Sequence, residues 1–126
     1  MNTQRLLWIL FCLFSVFIVQ CNSSKSLPPD IAGTWTTDNQ AYKGEYIDIS
    51  SQFITFGSQD SEGFTYTIKK VKTEKGHLHN STTYRVFCSD TSGVESLFTL
   101  IFTPDGGGTL RQKSSQDTIW KRIKKP

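Results

Sequence analysis

Cysteine is scarce in this chain: Cys12, Cys21 and Cys88 are the whole supply, too few for a thiolate metal cluster. Helical periodicity is scarcer still. Past residue 30 no apolar stripe recurs at 3.6-residue spacing over a useful length, so the folded part is expected to be built from strands. A strong charge is missing too. The net charge of +3 falls to +2 once Arg5, the one charged residue among the first 21, is set aside, which is too mild to draw nucleic acid. Basic residues gather at the end as Lys121-Arg122 and Lys124-Lys125, a pattern expected of a solvated strand edge and terminus.

Catalytic signatures are equally absent. There is no Gly-x-Ser-x-Gly elbow, and Gly106-Gly107-Gly108 is followed by neither Lys-Ser nor a helix, which makes it a flexible hairpin tip and not a phosphate loop. Asp48, Asp60, Glu62 and Glu95 show no pairing that would suit general acid and base roles. His77 and His79 flank Leu78 and point the same way on an extended chain, with Glu74 or Asp90 as the third ligand a metal would need. Their turn-rich surroundings favour solvated histidines. The expectation is therefore no enzyme, no cofactor and no metal site.

The longest apolar run, residues 6–19, is 14 residues broken only by Ser15. A membrane-spanning helix needs about 20. Behind a polar start carrying Arg5, this run suits an export signal over residues 1–21, and Trp8 and Cys12 belong to that signal rather than to the fold. Cys21 directly behind the run, with Ile18 and Val19 before it and Asn22-Ser23-Ser24 after it, resembles the lipobox of bacterial lipoproteins. Gln20 stands where that family carries Gly, Ala or Ser. The resemblance implies that Cys21 becomes an acylated N-terminus, so that the protein's membrane partner is reached through a lipid anchor in the bacterial cell envelope, at the outer membrane. A cut after Ser23 or Ser24 would instead leave a secreted protein. Residues 22–29, closed by Pro28-Pro29, then form a tether. Cys88 is expected to be a small buried residue beside Phe87; were Cys21 to keep its thiol, a Cys21–Cys88 bridge would be the alternative.

From residue 30 to 126 the chain breaks into eight β-rich segments, 31–37, 45–50, 53–57, 64–72, 82–89, 96–103, 108–113 and 118–124, separated by Gly-, Asp-, Asn- and Ser-rich turns. Eight strands with short links predict an antiparallel meander, and closure would hide its two edges. Alternation is clean in places. Ile47 and Ile49 oppose Tyr46 and Asp48, and Phe64, Tyr66 and Ile68 oppose Thr65, Thr67 and Lys69. In the sixth segment both faces are partly apolar, Phe98, Leu100 and Phe102 on one and Leu97, Thr99 and Ile101 on the other, so the second face needs a ligand, a partner or a bend in the sheet to cover it.

Gly33-Thr34-Trp35 at the head of the first segment resembles the Gly-x-Trp opening of lipocalins and related small barrels. A Gly allows tight entry at the barrel base, and the Trp closes that base with a large apolar ring. In lipocalins an Arg from the end of the barrel lies across that Trp, a role the resemblance gives to Arg122, with Lys121 as the substitute. It implies a single, monomeric, antiparallel eight-stranded up-and-down barrel of all-β class, preceded by the signal peptide and binding a small apolar ligand or serving as an envelope interaction module. Ligand-lining candidates are Phe56, Tyr66, Tyr84, Phe98 and Phe102. The interior is expected to be filled by side chains, with a small pocket at most. The chain also resembles small periplasmic inhibitors of bacterial metalloproteases, barrels with an early Gly-x-Trp that block a protease with an N-terminal trunk; here that trunk would be residues 26–31.

Overall fold

The computed structural model describes residues 23–76 and 80–123. It is an all-β, eight-stranded antiparallel closed barrel. The barrel strands are β2 (Gly33–Thr37), β3 (Glu45–Ile49), β4 (Phe53–Ser58), β5 (Ser61–Lys75), β6 (Thr82–Ser89), β7 (Glu95–Thr103), β8 (Thr109–Gln112) and β9 (Ser115–Arg122), and each pairs with its sequence neighbours. Closure comes from β2 against β9, with Trp35 opposite Arg122 and Thr37 opposite Trp120. The Ile123 amide extends the seam by donating to the Thr34 carbonyl at 2.8 Å. No barrel strand is left with a free lateral edge over its full length, which is the physical benefit of closure.

Alternation decides what lies inside. Trp35, Ile47, Ile49, Ile54, Ile68, Val86, Leu100 and Leu110 are all buried, and the outward partners on the same strands, such as Asp48, Arg85 and Arg111, are exposed. Of the two apolar faces of β7, Phe98, Leu100 and Phe102 point inward. Leu97 on the outer face is 53% exposed, while Thr99 and Ile101 are half-buried.

β5 runs to 15 residues, well past the 64–72 expected from sequence. Its register against β6 slips between Ile68, opposite Cys88, and Lys70, opposite Phe87. One extra residue at this bulge lets Lys69 and Lys70 both stay in solvent and returns Val71 to the core. Strict alternation from Phe64 would have driven a lysine inward, and a bulge is the inexpensive remedy.

The segment ahead of the barrel, expected to be a tether that buries nothing, is laid against it. Ser23–Ser24 forms a short strand, β1, beside Lys72 and Val71 on the part of β5 that β4 does not reach. The Leu27 side chain is buried and its amide donates to the Ser51 carbonyl at 2.9 Å. A 3-10 turn over Pro29–Ile31 then buries Ile31 completely. Proline in the first positions of that turn removes donors that would have had no partner there. The glycine tip carries a turn of its own. Asp105–Gly107 forms a 3-10 turn, and Gly108, at φ +97°, is packed so close that a Cβ would lie 3.0 Å from the Phe102 ring and 3.5 Å from the Trp35 ring.

Leu27→Ala is expected to destabilise the barrel by about 2–4 kcal/mol, the range for emptying a buried leucine site, even though the residue precedes the first barrel strand. Leu97→Ala should stay within about 0.5 kcal/mol of the parent. Urea unfolding of the two variants, followed by fluorescence, compares them directly.

Candidate functional site

The two ends of the barrel differ in kind. One is closed by Trp35, which is fully buried. Its indole Nε1 donates to the Ile31 carbonyl at 3.0 Å, the edge of its ring meets Phe102 at 6.2 Å, and the Arg122 guanidinium lies 4.7 Å above its centre. Arg122 also donates from Nη2 to the Asp30 carbonyl, tying the last strand to the turn ahead of the first. Gly33, at φ +136°, has no side chain because a Cβ there would press on the Arg122 stem at 3.2 Å. Gly33, Trp35 and Arg122 are thus brought together at the closed end.

The other end is a mouth lined with rings. Phe56 on β4, Tyr66 on β5 and Phe98 on β7 face inward in the upper layer of the barrel and form a three-membered cluster, with centroids 4.9–5.9 Å apart and tilted or edge-on geometry. They line a recess of about 410 Å³ together with Ile47, Phe64, Gln112 and Trp120. A volume of that order falls in the range of small-molecule sites.

The loop between β2 and β3 adds Tyr42 to this recess, and its placement can be traced residue by residue. The Asn39 side chain accepts from the Ala41 amide at 3.0 Å, capping a 3-10 turn over Gln40–Tyr42. Its Nδ2 donates to the buried Thr118 hydroxyl at 2.8 Å, which anchors the turn to β9. Tyr42 is thereby held with its ring 5.9 Å from that of Trp120. At the rim, Ser58 and Ser61 hydroxyls meet at 2.8 Å and set the β4–β5 hairpin, carrying Phe64, 73% exposed, past the end of the core.

The five ligand-lining candidates divide between the ends. Phe56, Tyr66 and Phe98 belong to the mouth. Tyr84 and Phe102 are buried and lie toward the closed end, Phe102 against Trp35 and Tyr84 near Asp30. Burial, reinforced by the Asp30 carboxylate, raises the Tyr84 hydroxyl pKa, and a hydrogen bond with Thr82 opposes the shift. Tyr84 is a neutral core residue there. Sequence reasoning did not single out Tyr42, Phe64, Gln112 or Trp120 as lining residues, although inward parity with Tyr66 and Arg122 pointed to Phe64 and Trp120.

A larger recess, about 870 Å³, lies outside the closed end between Gly106-Gly107-Gly108 and residues 121–123. Its floor is the Arg122 side chain, already engaged by Trp35 and the Asp30 carbonyl. It offers no ring cluster, so the mouth is the better candidate for an apolar molecule.

Glu74 and Asp90, considered as metal ligands, are otherwise occupied: Glu74 sits 3.8 Å from Arg85, and Asp90 accepts from the Ser92 and Val94 amides, both at 2.9 Å. His77, His79 and Cys21 lie outside the described residues. Cys88 is a free, buried thiol inside the barrel, its Sγ 3.7 Å from the Val86 carbonyl. Comparison of the chain with protein-family models, curated proteins and solved structures finds no match.

Burial pushes the Cys88 thiol up to about 11 from an ordinary 9.0. Below pH 9 the folded and unfolded chains both keep this proton, and between pH 9 and 11 the unfolded chain sheds it first, so folding stability falls as pH rises through that window. The urea midpoint is expected to drop more steeply between pH 9 and 11 in the parent than in Cys88→Ala; parallel profiles would contradict the assignment.

Proposed function

We propose that this protein is an exported, lipid-anchored, monomeric barrel of lipocalin-like type that holds a small apolar molecule at its mouth. The observation that carries the reading is the recess where the rings of Phe56, Tyr66 and Phe98 meet beside Trp120 and Tyr42. Half-buried rings at an opening are poorly hydrated on the free side, and covering them with a ligand removes apolar area at roughly 25 cal/mol per Å². A closed far end suits this use, because the plug formed around Trp35 leaves the mouth as the approach to the upper layer.

Export and anchoring are supported by the sequence: the apolar run of residues 6–19 followed by Cys21. In sequence Cys21 is two residues before Ser23, which pairs with Lys72, and β5 carries Lys69, Lys70 and Lys72 exposed on its flank. That flank is suited to an anionic membrane surface.

The inhibitor alternative needs a trunk that can leave the barrel and enter a protease. Residues 26–31 instead bury Leu27 and Ile31, and supply the carbonyls that receive Trp35 and Arg122. Withdrawing them would dismantle the closed end, so ligand binding is the preferred reading.

N-phenyl-1-naphthylamine, a neutral fluorescent probe, should bind at one site per chain, and Phe98→Ala should weaken its affinity about tenfold, roughly 1.4 kcal/mol. Tyr84→Phe, at the other end, should leave it unchanged. Equal affinity in parent and Phe98→Ala would remove the mouth from consideration. Separately, intact-mass analysis of the mature chain should report an acylated Cys21; an unmodified start at Ser24 or Lys25 would remove the anchor.

A further inference from the structure

We infer that the barrel docks on an anionic lipid bilayer by one wall, the outer face of β5, β6 and β7, with lysine and arginine heads at the lipid phosphates and the Leu97 side chain pressed into the apolar layer beneath them. This contact rests on the envelope location proposed above and adds a defined binding face to it, one that needs neither the mouth nor an acyl group.

Basic residues are unevenly placed around the barrel. β2, β3 and β4 contain no Lys or Arg, whereas Lys69, Lys70, Lys72 and Arg85 stand exposed on adjoining parts of β5 and β6. The bulge after Ile68 concentrates them: with Ile68 and Val71 both buried, three lysines among residues 69–72 are exposed, where unbroken alternation would turn one of them inward. Register then sets Lys72 directly opposite Arg85. Like charges opposed across two strands are destabilising, and Glu74, 3.8 Å from Arg85, offsets only part of the excess. An acid at position 72 would serve the fold better. Natural sequences tolerate such a conflict where a site requires it.

An apolar floor lies among these charges. Lys70 is opposite Phe87 and Phe87 is opposite Leu97, so one row across three strands runs from a cation to two apolar side chains. The Lys72 ammonium lies 5.6 Å from the centre of the Phe87 ring, and Leu97 is 53% exposed. Together they line a groove of about 500 Å³, in which Glu95 is the acid. That combination selects the partner. A layer of phosphates matches the basic heads, and hydrocarbon beneath the phosphates matches Leu97, while the lysine stems lie along the interface with their charges in its polar layer. The course of the chain agrees: Ser23 pairs with Lys72, and Cys21, the residue proposed to carry lipid, comes two residues earlier in sequence.

Vesicle sedimentation tests this with residues 22–126, which contain every described strand and carry no acyl group. Phosphatidylcholine vesicles holding about 30 mol% phosphatidylglycerol should bind the protein about fiftyfold more tightly than phosphatidylcholine alone, and about 0.5 M NaCl should remove the difference. Lys70→Glu with Lys72→Glu should weaken binding to the anionic vesicles about twentyfold, whereas Lys43→Glu with Lys121→Glu, the same change of charge at exposed positions away from this wall, should weaken it less than about threefold. Folding is no obstacle to the first pair, since Lys72→Glu sets an acid opposite Arg85. In Leu97→Trp the emission should shift to the blue on anionic vesicles, Trp35 and Trp120 being buried already. Equal binding of the parent to the two vesicle types would overturn the inference, as would equal losses from the two charge reversals or an unshifted emission in Leu97→Trp. The anchor is judged separately by the intact mass of the mature chain: a missing acyl group would remove the anchor and leave this wall standing.

Discussion

The structure depends on how one indole is held. Trp35 is enclosed on every side by a group that also serves something else. The Ile31 carbonyl accepts its N–H, Arg122 covers its face, Phe102 meets its edge, and Gly108, at φ +97°, packs beside it, where an added Cβ would lie 3.0 Å from the Phe102 ring and 3.5 Å from the indole. Cation–π contact contributes about 0.5–2 kcal/mol, and the hydrogen bond about 0.5–1.5 kcal/mol. The larger consequence is topological. Because Arg122 belongs to the last strand and Ile31 to the turn before the first, stacking both on Trp35 joins the chain's two ends across the seam that closes the barrel. The seam and the plug are one event, and neither is expected to form without the other.

That coupling explains the shape of the rest. A closed sheet of eight strands has an interior just wide enough for side chains to fill, and here Ile47, Ile54, Val86, Leu100 and Leu110 fill it above the plug. β5 bridges the greatest height, pairing first with β4 and then, where β4 has ended, with the two-residue β1. Covering that half-open edge is a task for the N-terminal segment, and burial of Leu27 and Ile31 holds the segment to it. What looks in composition like a linker is a gasket.

Much of this was legible in the sequence, and the parts that were not share a cause. Alternation at Ile47 and Ile49 and at Phe98, Leu100 and Phe102 assigned an inside, and the Gly33–Trp35 spacing with a late Arg122 indicated the closure. Period-two reasoning says whether a residue faces inward; it carries no information on height along the axis. Hence Phe56, Tyr66, Tyr84, Phe98 and Phe102 all point inward yet divide between mouth and plug. The bulge after Ile68 was hidden for a related reason, since Lys69-Lys70 is as easily read as the end of a strand as a skipped beat within it. Leu27 and Tyr42 lie in polar surroundings with no period at all, and their positions follow from hydrogen bonds to Ser51 and through Asn39 to Thr118, partners 24 and 79 residues distant.

A difference in how the rings are covered at the two ends then bears on the proposed function. At the plug the indole N–H is paired and the guanidinium donates from Nη2 to a carbonyl, although the Arg122 Nε, like the Trp120 indole N–H at the other end, is buried without a partner. At the mouth, rings are left half-covered and Phe64 stands in solvent. A fold that needed only stability would gain from a smaller residue at position 64. Natural sequences commonly violate local rules where a site is kept open. Phe64, Trp120 and the Phe56–Tyr66–Phe98 group line one recess, and among the described residues no ring contact joins them to Trp35. Such concentration above a plug that holds the strands in register is what supports the binding mouth proposed for this end.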